Sequence, residues 1–290
     1  MHKLVSQIDQ SVNFVTEAPT GYFESRYVCR PNKSYFIVYV SSQSGCSRGC
    51  RMCHLTATKQ TKYVDATIQD FVAQAQPVFA HWDELHATHQ QMHFNFMARG
   101  EPLASQIILT QGSQVLEALK GLADQRGLRG RYLVSTIMPN SMKDLSLRQV
   151  FPTLAPEIYY SLYSVDPEFR SKWLPQALPV GVAMQKMQAW QQETGQRMRV
   201  HFAFIRGEND SLDSVQRLCE TVASYTQAVD VNVVRYNPPN SNSQESPEDV
   251  IAARVELMQR NLPGVVKVIP RVGFDVYGSC GMFIQPAAIG

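Results

Sequence analysis

Short apolar runs alternate with helical periodicity about six times along this chain, and nothing else in it constrains the fold as tightly. The runs are Tyr35-Phe-Ile-Val-Tyr-Val40, Met92–Met97, Arg131–Thr136, Ile158–Tyr163, Met198–Ile205 and Val229–Val234. Most are near-continuous and rich in β-branched residues, as in parallel strands covered by helices. Helical patterns lie near 66–87, 114–126, 180–194, 211–225 and 247–261, and Asp210-Ser-Leu-Asp213 and Ser246-Pro-Glu-Asp249 read as helix starts. Such an order predicts a parallel sheet, doubly wound or barrel-like. In both forms ligand groups gather at the carboxyl ends of the strands. Gly100, Glu101, Ser135, Ser161 and Asn237 all fall at or near such ends. Ahead of the first parallel strand, Tyr22–Val28 and Tyr35–Val40 are split by Arg30-Pro-Asn-Lys33 and read as a hairpin.

With 290 residues there is room for one large α/β domain or two small ones. No linker is visible. The expected division is an N-terminal extension over 1–20 and a core over 21–290, with the hairpin at 22–40 and the partial barrel at 35–290. Asn237–Pro247 reads as a mobile polar loop on the ligand face. No apolar run is long enough to span a membrane, and Met1-His-Lys-Leu-Val-Ser-Gln is not a signal peptide. A cytoplasmic protein is expected. The net charge of +2 neither requires nor excludes a nucleic-acid partner.

The chemistry is concentrated in Gly45-Cys-Ser-Arg-Gly-Cys-Arg-Met-Cys-His-Leu, directly after the first parallel strand. Cys46, Cys50 and Cys53 suit a compact loop around one face of a [4Fe-4S] cluster, each holding one iron. The fourth iron has no cysteine nearby. An open iron is what S-adenosylmethionine needs to chelate and be cleaved reductively. Zinc is the competing reading, but it usually takes four ligands in paired spacings, and the second pair is missing. Six cysteines in 290 residues are too sparse for a secreted disulfide framework.

Several motifs in order carry a more specific resemblance. Ser41-Ser-Gln-Ser-Gly-Cys46 leads into the cysteine loop. Phe96-Met-Ala-Arg-Gly-Glu-Pro-Leu103, Ser161-Leu-Tyr163, Gly207-Glu-Asn-Asp-Ser211, Tyr236-Asn-Pro238 and Gly278-Ser-Cys-Gly281 follow. From about residue 20 onward this set resembles the RlmN/Cfr family of radical S-adenosylmethionine RNA adenine methyltransferases. The resemblance implies a partial (β/α)6 TIM-like barrel with an N-terminal β-hairpin. It implies cluster ligation by Cys46, Cys50 and Cys53, and cofactor contacts from Gly100, Glu101, Ser135, Ser161, Leu162, Tyr163 and Asn237. Cys280 would be methylated and would pass the carbon on, and Glu24 would be the proton acceptor. The implied substrate is rRNA or tRNA, and the implied electron donor is a flavodoxin or ferredoxin. In the family, a radical formed from a second cofactor molecule takes hydrogen from the S-methyl group. The methylene carbon then adds to the base, and a second cysteine resolves the adduct by forming a disulfide.

The chain departs from that pattern at two points. The resolving cysteine should stand seven residues before Cys46, where this chain has Tyr39. About twenty residues ahead of the hairpin cannot supply the family's RNA-binding domain. Cys29 is the nearest upstream thiol, at the hairpin turn, and Cys219 reads as a buried helix residue. These departures motivate an alternative, a radical enzyme of the same scaffold acting on a small molecule or peptide. A non-catalytic iron–sulfur protein is a third reading. His81, His86 and His89 read as surface or packing histidines. Arg48, Arg51 and Arg99 are expected near the mouth, and Met52 against the cofactor's adenine.

Overall fold

The computed structural model describes residues 1–31 and 33–285. Ten strands form one sheet in chain order. These are β1 (His2–Val5), β2 (Val12–Glu17), β3 (Tyr22–Cys29), β4 (Tyr35–Tyr39), β5 (Gln91–Phe96), β6 (Arg129–Thr136), β7 (Glu157–Ser161), β8 (Met198–Phe202), β9 (Val229–Val234) and β10 (Val266–Ile269). Pairing is antiparallel from β1 to β4 and parallel from β4 to β10. The connections carry α1 (His54–Ala57), α2 (Ile68–Glu84), α3 (Gln106–Asp124), α4 (Leu147–Val150), α5 (Pro167–Trp173), α6 (Val180–Thr194), α7 (Leu212–Tyr225) and α8 (Glu248–Asn261). This is the expected partial barrel with its hairpin.

Strand side chains alternate between two surroundings. Phe36, Val38, Phe94, Val134, Tyr160, Val200 and Val231 pack with the helices in the main core. Their neighbours Ile37, Tyr39, His93, Asn95, Ser135, Ser161, His201 and Asn232 line the interior. Apolar runs without strict alternation hid this, because the inner surface holds both polar and aromatic residues.

Three features differ from the sequence reading. The sheet extends into residues 1–20, expected as an extension, where β1 and β2 form a further hairpin. A seventh parallel strand, β10, is only four residues long and follows Pro263-Gly264, so its strand signal is weak. Helix α3 begins eight residues before its periodicity predicts, capped by Ser105 onto the Ile108 N–H. Gly112 lies within α3. In the fold, a Cβ there would stand 2.6 Å from the Val150 carbonyl oxygen, so only glycine lets α3 approach that segment.

The pairing order ends at β1 and β10, which leaves the ring open. The segment after β10 crosses the gap and docks on the first two strands. Asn13 Nδ2 donates to the Val276 carbonyl at 2.9 Å, Ser6 Oγ to Asp275 at 2.7 Å, and the Gly273 N–H to Asp9 at 2.7 Å.

Candidate active site

Strand ends, the cysteine loop and the crossing C-terminal segment enclose a cavity of about 370 Å³. Cys46, Cys50, Cys53, Gly100, Glu101, Ser135, Ser161, Tyr163 and Cys280 all line it. The cysteine loop is held from several directions. The Cys46 N–H donates to the Gln60 carbonyl at 3.1 Å, Arg51 N–H to Trp173 at 3.1 Å, and His54 N–H to Gly281 at 3.0 Å.

The three thiols are free. Burial, then the neighbouring Cys53, pushes Cys46 up to about 12. Cys50 is raised well above the usual thiol range by burial and by both partners, and Cys53 is raised by burial. Such thiols ionise only if a cation balances them, and iron would provide that charge. Among the described residues no group of three or more His, Cys, Asp or Glu side chains is arranged to hold a single metal ion. A cubane takes each thiolate on a separate iron, so three thiols along one loop fit it better than zinc.

Glu101 shows the same economy of charge. It is 6% exposed, and its carboxylate accepts from the Leu103 and Ile137 N–H groups, both at 3.1 Å. Burial outweighs these bonds and raises its pKa to about 7. An ammonium group in the cavity would find there a fixed anionic acceptor. Gly100 makes this possible. It has φ +92°, and a Cβ would meet Ser42 Oγ at 2.6 Å and the Gln43 nitrogen at 2.7 Å.

Ser135 Oγ lies 3.2 Å from Ser161 Oγ and 3.2 Å from His201 Nδ1, and His201 Nε2 reaches Asn232 at 3.4 Å. Tyr163 takes a left-handed backbone, φ 56°. Its carbonyl accepts from Asn209 Nδ2 at 2.8 Å, so the Gly-Glu-Asn-Asp-Ser motif props this strand end. Met52 packs beside Tyr163 on the cavity wall.

Three expected residues stand elsewhere. Leu162 points into the core beneath the helices, because it sits between two inward neighbours at the end of a strand of period two. Asn237 does not line the cavity. Its Nδ2 donates to the Cys280 carbonyl at 2.9 Å, and its Oδ1 accepts from Arg271 at 2.8 Å, so it fastens the Cys280 segment. Glu24 is fully buried away from the cavity wall. It accepts from Asn13 at 2.8 Å, Arg26 at 2.9 Å, Arg99 at 2.9 Å and the Ile284 N–H at 3.0 Å. Burial alone would raise its pKa, but Arg26, Arg99 and Asn13 outweigh burial and hold it below the usual range. That suits a permanent anion rather than a proton acceptor.

Glu24 is the centre of a clamp on the C-terminal segment. Arg26 donates to the Gly278 and Met282 carbonyls at 3.1 and 3.0 Å, and Arg99 to that of Ile284 at 3.0 Å. Arg99 is therefore buried here and not at the mouth, whereas Arg48 does line the cavity. Sequence reasoning missed Arg26, although Glu24 and Arg26 share a strand face at a separation of two. The loop after Asn237 is pinned by Glu245, which accepts from Arg235 and Arg271 at 2.8 Å.

Cys280 has an exposed surface, and that surface opens into the cavity. Enclosure by protein, then the nearby Cys53, raises its pKa to about 11. Tyr39 lines the same cavity, opposite Arg26 in the hairpin register. Cys29 does not. It packs against the main core, 3.6 Å from His89 Nε2, and Cys219 is buried in α7. His81 and His89 make aromatic and hydrogen-bond contacts with Tyr27 and Trp82.

No protein-family model matches the chain. Among curated proteins it is similar to the dual-specificity RNA methyltransferase RlmN of Aliarcobacter butzleri, 28% identical over 260 residues, covering 88% of this chain and 68% of that protein. It is also similar to the probable RlmN of Natranaerobius thermophilus, 26% identical over 250 residues, covering 84% and 67%. With the probable RlmN of Streptococcus mutans the identity is 25% over 282 residues, covering 94% and 74%. The chain thus spans about two thirds of the length of the first of these relatives. The crystal structure of a radical SAM methyltransferase from Sphaerobacter thermophilus shares the fold, with TM-score 0.78, 21% identity and coverage of 97% of this chain and 80% of that one. A partial barrel with a three-cysteine loop at its carboxyl end is the architecture of a radical S-adenosylmethionine enzyme. Within that class its curated relatives are RlmN proteins, and this similarity supports an RlmN-like member of the family.

Proposed function

We propose that this chain is an RlmN-like radical S-adenosylmethionine methyltransferase that methylates an adenine carbon of RNA, with Cys280 carrying the carbon. The observation that carries this reading is the position of Cys280. Among the described residues it is the one thiol outside the cysteine loop that lines the cavity. A [4Fe-4S] cluster and S-adenosylmethionine, when bound, supply a methyl group and the one-electron chemistry that an unreactive ring carbon demands. Cys46, Cys50 and Cys53 hold the cluster. Glu101 accepts the cofactor's amine, and Ser135, Ser161 and Tyr163 wall its far side. The Glu24 clamp and Asn237 hold Cys280 facing them.

RNA is the substrate class, in line with the function named for the curated relatives. The finer reading is an rRNA or tRNA adenine, with a flavodoxin or ferredoxin as electron donor and the cytoplasm as location. No helix among the described residues is long and apolar enough to cross a membrane. Arg48 on the cavity wall is available to an RNA phosphate.

The test is anaerobic reconstitution with iron, sulfide and S-adenosylmethionine, followed by peptide mass spectrometry. The expected product is a protein one methyl group heavier at Cys280, which then transfers label to RNA. Cys280→Ala should retain the cluster and 5′-deoxyadenosine formation while losing transfer. Transfer undiminished in that variant, or a preparation that takes up zinc and no iron, would overturn the reading.

A further inference from the structure

The cavity continues below the cysteine loop. It runs down the inside of the sheet to the amino ends of the strands, where Arg30, Arg131, Arg199 and Lys267 line it. Along β4 this passage covers Tyr35 to Tyr39, roughly 13 Å at about 3.3 Å per residue. These four cations have no part in the site described above. Two carboxylates stand among them. Glu157 accepts from Arg131 Nε at 2.8 Å and from Arg199 Nε at 2.9 Å. Asp230 accepts from Arg199 at 2.6 Å and is shared with Arg197 at 3.0 Å. Lys267 pairs with no carboxylate among the described residues. Positive charge is in excess.

Level with Arg131 and one pleat above it, the lumen holds polar atoms without protein partners. His93 Nε2 and Asn95 Oδ1 make no hydrogen bond to another protein group, although the residues are only 6% and 5% exposed. Both line the passage, and the His93 ring is fixed by stacking on Tyr35 at 3.9 Å. Strand barrels normally fill this level with packed aliphatic side chains, and unpaired buried polar atoms are rare in folded proteins. Burial, with Arg131 and Arg30 nearby, pushes the His93 pKa down to about 3. The ring is therefore neutral and offers an N–H donor or a lone pair.

We propose that the amino-end half of the lumen is a second binding site, for a phosphate-type oxyanion, entered from the end of the barrel opposite the cysteine loop. Guanidinium forks match such an oxyanion in charge and geometry. Lys267 adds a point charge, and His93 completes the inner wall. Free phosphate and the phosphate of a mononucleotide share this chemistry.

The test uses the full chain, titrated calorimetrically with inorganic phosphate and then with AMP. The wild type should bind phosphate saturably. Arg30→Gln and Lys267→Gln should each weaken binding roughly tenfold, as expected for loss of a charge-assisted bond. A His93→Phe, Asn95→Leu variant, which lines the lumen with apolar groups, should lose binding while keeping its circular dichroism and cooperative melting. Competition by AMP assigns the site to a nucleotide; binding of phosphate alone assigns it to the free anion. S-adenosylmethionine should leave phosphate affinity unchanged. Absence of saturable binding, retention of affinity in every variant, or competition by S-adenosylmethionine would overturn the proposal.

Discussion

Glu24 and Glu101 are both buried carboxylates, and their surroundings send them in opposite directions. Around Glu101 hydrogen bonds and the charge of Arg48 oppose burial without overcoming it, so its pKa is raised to about 7. Around Glu24 two guanidinium groups more than offset burial, so it stays ionised. Removing one partner of a buried ionic network leaves the other charges uncompensated, which costs about 3–5 kcal/mol. Glu24→Gln should lose that much in urea unfolding. Its folded pKa lies below the ordinary 4.5, so its stabilisation is full above pH 4.5 and fades as pH falls through the folded value. The variant should therefore show a flatter acid limb of stability against pH than the wild type. Equal acid sensitivity in the two proteins would remove Glu24 from the role of clamp. Tyr39 raises a different question, because a phenol cannot form the disulfide that resolves the family's adduct. Cys29 is turned toward His89 and does not line the cavity. Tyr39→Cys should raise turnover on RNA or release trapped protein–RNA adduct, and peptide mapping should find a disulfide between the introduced thiol and Cys280. Unchanged turnover together with no such disulfide would count against it.

At the scale of elements, the segment from 270 to 284 matters most. It has no strand and one short 3₁₀ turn at Phe274–Val276, so its position depends on side chains that reach it from other elements. Arg26 comes from β3, Arg99 from the turn after β5, and Asn237 from the end of β9. Each hydrogen bond of this kind contributes about 1 kcal/mol. Asn237→Ala removes the donor to the Cys280 carbonyl and the acceptor for Arg271, so it should loosen the thiol without unfolding the barrel. Cys280 in the metal-free variant should react with iodoacetamide several-fold faster than in the wild type, at nearly the same melting temperature. An unaltered alkylation rate would mean that Arg26 and Arg99 suffice.

For the whole molecule, β1 and β2 extend the same sheet as the barrel and receive the returning C-terminal segment. Deleting residues 1–20 would remove Asn13 from the Glu24 network, and Ser6 and Asp9 from Asp275 and Gly273. The shortened chain should keep its helical content but be cut readily after residue 270 in limited proteolysis. A shortened chain as resistant as the intact one would show that the barrel holds this segment unaided.

The alternation of strands and helices, the cysteine spacing and the Gly-Glu step were legible because each depends on residues adjacent in sequence. A backbone period, a loop that can wrap one cluster and a strand-end turn are local matters. The sequence also carried Cys280, through a short motif. It could not tell which strand neighbours face inward, since both faces of these strands hold large residues; the resemblance groups Leu162 with Ser161 and Tyr163, whereas its side chain packs in the main core. Nor could it separate a carboxylate that lines the cavity from one that holds the frame. Glu24 and Asn237 acquire their roles from partners as much as 260 positions away, where burial and charge are set by neighbours that only the closed fold supplies. The clamp on Cys280, the loss of Cys29 as a cavity thiol and the basic floor of the lumen were decided there, by packing between segments that share no local signal.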